Sequence, residues 1–267
     1  MAIEWMLPTA KGAYDNRKHL LNGWEKFIAK ILGSKHRIAF VGPGGIGKTV
    51  LLDYITGEAN KLGYKLPAKS RKSEKGKAKA LGSRLALIVA PGQGGPQVDT
   101  FNEVFIDKPV DGIVFVAGEG FVTLRNSKAI EHNVSQGYKT IEQWRALSKG
   151  TELDSLKEVV SMIRSAQAKS RKPCWLLVVV TKMDLYFNEI NKSEEYYSPY
   201  GSSEFSSLLN RLQAQLGLDN FEWDAVPVCS QLDDFHWGAE VAKSDFDDSK
   251  RNQYLAQMIE RMGELCK

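Results

Sequence analysis

The sequence predicts a three-layer α/β fold, a mainly parallel sheet with helices on both faces, and two observations carry that prediction. From residue 37 onwards, short apolar runs alternate with helical patterns. Unbroken apolar strands are buried on both faces, and alternation with helices implies parallel crossover connections. Between the first run and the first helical pattern lies Gly42-Pro43-Gly44-Gly45-Ile46-Gly47-Lys48-Thr49. It matches G-x-x-x-x-G-K-[ST], a loop whose backbone wraps phosphate oxygens.

Taken in order, the elements begin with an amphipathic helix over about 14–32. There Leu20, Leu21, Trp24, Phe27, Ile28, Ile31 and Leu32 recur at helical spacing with lysines between them. It forms an N-terminal extension, 1–36, suited to packing on the domain or to docking at a membrane surface or partner. Arg37-Ile38-Ala39-Phe40-Val41 reads as a buried strand, and Val50-Leu51-Leu52-Asp53-Tyr54-Ile55 as a helix. Further strands are expected at Leu85–Ala90, Gly112–Ala117, Trp175–Val180 and Ala225–Cys229. Helices are expected over about 122–148, 153–170, 203–216 and 250–265. No internal repeat and no separate second domain is legible in 37–267.

Composition narrows the class. Across 267 residues, 43% hydrophobic and 25% charged side chains are ordinary for a globular chain with a large core. No stretch reaches the ~20 apolar residues of a membrane span. The N-terminus lacks a signal peptide's basic start and long apolar run. Cys174, Cys229 and Cys266 show neither metal-ligand spacing nor an even count, so a reducing, cytoplasmic compartment is expected. The net charge of +4 conceals an asymmetry. Residues 61–84 hold nine Lys/Arg against Glu74 alone, and acidic residues gather between Asp233 and Asp248.

The phosphate loop assigns roles directly. Its glycines turn the backbone so that successive N–H groups face phosphate oxygens, helped by the following helix N-terminus. Gly42, Gly44, Gly45, Ile46, Gly47, Lys48, Thr49 and Val50 form that nucleotide-binding set. Lys48 reaches the terminal phosphates, and Thr49 gives its hydroxyl to Mg²⁺.

Three further segments carry a resemblance. Val178-Val179-Val180-Thr181-Lys182-Met183-Asp184 resembles the [N/T]-K-x-D motif of the Ras-like small GTPase superfamily. It stands at the C-terminal end of a buried strand, where ligands bind in open α/β sheets. The resemblance gives Asp184 the role of accepting from guanine N1–H and the 2-amino group. Lys182 would lie along the base, with Thr181 beside it. Val226-Pro227-Val228-Cys229-Ser230-Gln231 resembles the strand ending in the family's Ser-Ala-Lys motif, with Ser230 matching Ser and Gln231 replacing Ala. There a backbone N–H meets guanine O6. Pro91-Gly92-Gln93 resembles the end of D-x-x-G in its P-G-Q form. This implies that Gly92 contacts the γ-phosphate and that Gln93 is catalytic by positioning water, with Lys48 catalytic at the terminal phosphates.

Two positions depart from the family. Val89 stands where the family has the Asp that holds Mg²⁺ through water. No Thr occurs from 57 to 99, so Ser70 and Ser73 are the nearest hydroxyls for the first switch. Keeping Gly44 with Gln93 implies that hydrolysis is retained but slow. The resemblance implies a G domain over 37–267, GTP/GDP and Mg²⁺ as cofactors, and a protein effector or activator as partner. Against an ordinary small GTPase the chain has extra length near 119–153 and 186–204, the latter reading as a surface excursion.

The basic stretch 61–84 falls on the first switch. It suits a solvated loop, a wrap over phosphates or an acidic partner, with nucleic acid or an anionic membrane less favoured. Tyr64 is its one aromatic residue, which disfavours base-stacking recognition of RNA. A guanine-nucleotide switch is therefore the leading expectation. A nucleotide-binding scaffold without turnover is the alternative, and Asp184 disfavours an ATP-using motor.

Overall fold

The computed structural model describes residues 37–55, 58–60, 63–65, 86–89, 109–124, 126–170 and 172–266. The expected N-terminal helix, most of the basic stretch, and Gly92 and Gln93 lie outside the described residues.

Five parallel strands form one sheet in the order β2-β1-β3-β4-β5. They are β1 (Arg37–Val41), β2 (Ala86–Val89), β3 (Gly112–Ala117), β4 (Cys174–Val180) and β5 (Phe221–Pro227). Every residue of β3 is buried, and so is β4 apart from Cys174 at its start. Burial without alternation means that both faces are covered, as the apolar runs imply. The sheet therefore forms the middle layer of a three-layer α/β fold. β1 pairs with β2 on one side and β3 on the other. The chain thus reverses direction across the sheet at β1, and the crevice beyond the C-terminal ends of β1, β3 and β4 is where such sheets bind ligands.

The helices are α1 (Lys48–Ile55), α2 (Ser127–Ser135), α3 (Ile141–Ser170), α4 (Ile190–Tyr197), α5 (Glu204–Leu216) and α6 (Asp248–Leu265). α3 and α4 both pack on α5, and α6 packs on β4 and β5. A short antiparallel pair, β6 (Phe235–Trp237) with β7 (Glu240–Ala242), lies between β5 and α6.

Three boundaries differ from expectation for physical reasons. The expected break near residues 149–152 is absent, and α3 runs through Gly150 for 30 residues. The interruption instead falls at 136–140, where Gly137 has φ 105°. Thr140 and Gln143 then exchange reciprocal bonds, Gln143 N–H to Thr140 Oγ1 at 3.2 Å and Thr140 N–H to Gln143 Oε1 at 3.1 Å. This capping box starts α3, and its T-x-x-Q signature was present in the sequence. β5 begins at Phe221 rather than Ala225, because its first four residues alternate in burial and lack a continuous apolar run. Finally, 186–204 is not simply a surface excursion: α4 drives Tyr197 into the core, where it is fully buried.

Candidate nucleotide site

The phosphate loop closes tightly on its neighbours. Gly42 has φ 129°, and a Cβ there would lie 2.3 Å from the Val116 carbonyl oxygen. Gly45 has φ 78°, and a Cβ there would lie 2.5 Å from the Thr123 carbonyl oxygen. Both the backbone conformation and the space exclude a side chain. Leu51 N–H bonds to Gly47 O at 2.9 Å and starts the helical ladder of α1. Lys48 folds over the loop, donating to Gly42 O at 2.7 Å and to Pro43 O. Burial alone lowers its pKa to about 7. An ammonium held, among the described residues, by carbonyls in a buried site is placed to gain strongly from an anion. Gly44 and Thr49 are partly accessible, and Gly45 is exposed at the mouth, while Ile46 and Val50 are buried beneath it.

The T-K-x-D segment joins this loop from the neighbouring strand end. Thr181 is buried at the end of β4, its hydroxyl 2.8 Å from Ile46 O and 2.9 Å from Ala117 O. It ties the phosphate loop to β3. Lys182 adopts the left-handed region at φ 62°, unusual for a side-chain-bearing residue. Its ammonium reaches Phe121 O at 2.5 Å and Thr123 Oγ1 at 2.7 Å, and lies 5.3 Å from the Phe235 ring centre. Burial lowers its pKa to about 8, opposed by Asp184 and Glu152.

Asp184 decides the character of the site. It is 2% exposed, and its Oδ1 accepts from Cys229 Sγ at 3.0 Å. Among the described residues, its Oδ2 and the Ser244 hydroxyl each lack a partner in good hydrogen-bond geometry, although Ser244 stands close enough to favour the charged carboxylate. Burial raises the Asp184 pKa, against the pull of Ser244, Cys229 and Lys182. A buried carboxylate oxygen without a donor is costly unless a ligand supplies one.

The segment after β5 meets the T-K-x-D segment through a neighbouring side chain. Cys229 Sγ donates to Asp184 Oδ1. The Ser230 hydroxyl lies 3.9 Å from where a Gly47 Cβ would be, so it faces the phosphate loop. Gln231 turns its amide to Asp233 and accepts a long 3.4 Å bond from Cys229 Sγ on its carbonyl. Gly42 to Val50, Thr181, Lys182, Asp184 and Ser230 are thus brought to one end of the sheet. Val89 ends β2, its backbone in register with Phe40, two residues before Gly42. That places it beside the phosphate loop.

Sequence reasoning missed the segment that follows β3. Thr123 N–H bonds to Gly45 O at 3.1 Å, so residues 118–124 buttress both motifs. Glu152 of α3, fully buried, accepts from Gly118 N–H at 3.0 Å, Gly120 N–H at 3.2 Å and Tyr197 OH at 2.6 Å. Glu119 pairs with Arg145 at 3.0 Å and with Lys149. The only local signal was a Gly-Glu-Gly triplet after a strand.

Strand order, the loop after β1 and the T-K-x-D segment after β4 agree on one architecture. The fold is a three-layer α/β sheet with a phosphate-type loop after its first strand. No protein-family model matches the chain, and no curated protein matches it. Among solved structures it is similar to the signal recognition particle receptor SRb–GDP from Chaetomium thermophilum. That match is 13% identical and covers 86% of this chain and 97% of that one, with a TM-score of 0.45. It is also similar to the ADP-ribosylation-factor-like small COPII coat GTPase SAR1 from Encephalitozoon cuniculi in complex with GDP. There identity is 14%, coverage 93% of this chain and 90% of that one, and the TM-score 0.39. The fold assignment rests on the chain's own topology. Among the described residues, no helix is long and apolar enough to cross a membrane, and no cluster of His, Cys, Asp and Glu is placed to hold a metal ion.

Proposed function

We propose that this chain binds guanine nucleotide and acts as a switch that hydrolyses GTP slowly and changes partners with nucleotide state. The observation that carries the reading is Asp184: buried, anchored on one oxygen by Cys229, and among the described residues with no donor in good hydrogen-bond geometry on the other. Guanine presents adjacent N1–H and 2-amino donors to a carboxylate, whereas adenine presents an acceptor at its N1. The phosphate loop supports nucleotide binding, since among the described residues Lys48 is held by carbonyls that a phosphate would replace. The hydroxyl of Thr49 is the group on this chain that would hold Mg²⁺. That ion would supply charge neutralisation on the β- and γ-phosphates.

Hydrolysis is assigned to Gln93, orienting water, with Gly92 holding the γ-phosphate and Lys48 stabilising charge. The alternative, a nucleotide-binding scaffold without turnover, is favoured by Val89, whose side chain offers no acceptor to a metal-bound water. A missing carboxylate weakens metal binding more than nucleotide binding. Single-turnover GTP hydrolysis across a magnesium series separates the two. Turnover that falls in Gln93→Ala and gains affinity for magnesium in Val89→Asp supports the switch. Rates equal to buffer in all three proteins replace it with the scaffold. A cytoplasmic location, an effector or activator partner and the division into an extension (1–36) and a G domain (37–267) belong to the same proposal.

A further inference from the structure

We propose that Thr123 is a positioning residue for base recognition: its hydroxyl seats the Lys182 ammonium, coupling the base motif to the phosphate loop. The inference rests on the guanine reading above. Lys182 is held in a left-handed backbone conformation that costs a side-chain-bearing residue free energy unless its surroundings fix it. Its side chain ends on Phe121 O at 2.5 Å and Thr123 Oγ1 at 2.7 Å, two acceptors from a single short segment. The backbone of Thr123 meanwhile donates to Gly45 O at 3.1 Å. One residue therefore touches both halves of the site.

Thr123 itself is exposed, so its hydroxyl contributes nothing to core packing. The segment that carries it is nevertheless fixed from behind. Glu152 binds the Gly118 and Gly120 N–H groups, Trp144 Nε1 donates to Val122 O at 2.9 Å, and Arg145 Nε donates to Glu119 O at 3.2 Å. These three side chains recur along one face of α3. The Arg145 guanidinium also lies 4.6 Å from the Phe121 ring centre. A segment without regular structure would otherwise be free to move, and the lysine would move with it. Held this way, it presents a fixed hydroxyl to Lys182, so the lysine stem is already aligned when a base arrives. Preorganisation of that kind slows ligand release.

The test is the release rate of a fluorescent GDP analogue, with melting temperature measured on the same samples. Thr123→Val keeps the side-chain shape and removes the acceptor, so release accelerates by about tenfold, the usual consequence of losing a hydrogen bond to a charged group. Thr123→Ser restores the slow rate. In a Lys182→Met background, Thr123→Val changes nothing further, because its effect passes through the lysine. The melting temperature of the free protein is unchanged by Thr123→Val. Release at the wild-type rate in Thr123→Val overturns the positioning role, and so does an equal acceleration in the Lys182→Met background. A wild-type protein that retains no guanine nucleotide overturns the guanine reading itself, and this proposal with it.

Discussion

The phosphate half and the base half of this site are built in opposite ways. The phosphate half is local: one octapeptide turns, caps a helix and supplies Lys48, whose ammonium returns to carbonyls five and six residues back. The base half is assembled across the chain. Thr181 reaches Ile46 over 135 residues, Lys182 reaches Thr123 over 59, and Cys229 reaches Asp184 over 45. A local device tolerates change elsewhere in the fold, whereas a distributed one depends on every element that holds it. Mutations in the first half should therefore act mainly on affinity, whereas those that change a buried group in the second should act on affinity or base choice and on stability together.

The largest effect is expected at Lys48. Lys48→Ala should weaken nucleotide binding by on the order of a hundredfold or more, since a charge-assisted contact is lost where water is excluded. The melting temperature should hold or rise, because a buried ammonium is removed. A variant that unfolds would break the comparison from the phosphate side.

Asp184→Asn is next, and its two consequences oppose each other. Exchanging an acceptor for an amide should move preference from guanine to xanthine nucleotides by on the order of a hundredfold. The free protein should meanwhile become more stable. Burial raises the Asp184 pKa in the fold. The stability linked to this group is thus fully present below the ordinary carboxylate pKa and is lost as pH rises through the higher folded value. Near neutral pH the charged carboxylate is a burden on the nucleotide-free fold. Removing it should raise the melting temperature by about 2–4 °C, corresponding to ~1 kcal/mol. Guanine affinity in the unaltered protein should fall as pH drops through the same window, because the neutral acid no longer offers two acceptors.

Tyr197→Phe tests the support behind the base half. It leaves Glu152 Oε2 without its 2.6 Å donor in a fully buried place, so unfolding free energy should drop by about 1–3 kcal/mol by denaturant titration. Unchanged stability would mean that the anchor under residues 118–124 is dispensable. The smallest effect belongs to Cys229. Cys229→Ser should leave guanine affinity near its starting value, while Cys229→Ala should lower it by a few-fold, because the thiol is a weak donor. Equal affinity in both variants would return the donor role to another residue.

The same asymmetry explains what could be read from the sequence. The phosphate loop carries its own geometry in its letters, and apolar runs placed β1, β3 and β4 within a residue of where they lie. Asp184 was legible because its motif follows a buried strand. Thr123, Glu152 and Cys229 were not, since each owes its role to a partner far along the chain. The bond from Cys229 Sγ to Asp184 Oδ1 joins two loops that follow different strands, and neither segment's letters announce it. The break before α3 was readable from its capping box at Thr140–Gln143 but competed with the more conspicuous Gly150.

The central claim is that the distributed half of the site recognises guanine. Calorimetric titration of the unaltered protein with GDP and ADP, and of Asp184→Asn with GDP and XDP, tests it most directly. The account predicts GDP bound far more tightly than ADP, and XDP preferred over GDP in the variant. ADP bound as tightly as GDP by the unaltered protein would contradict it.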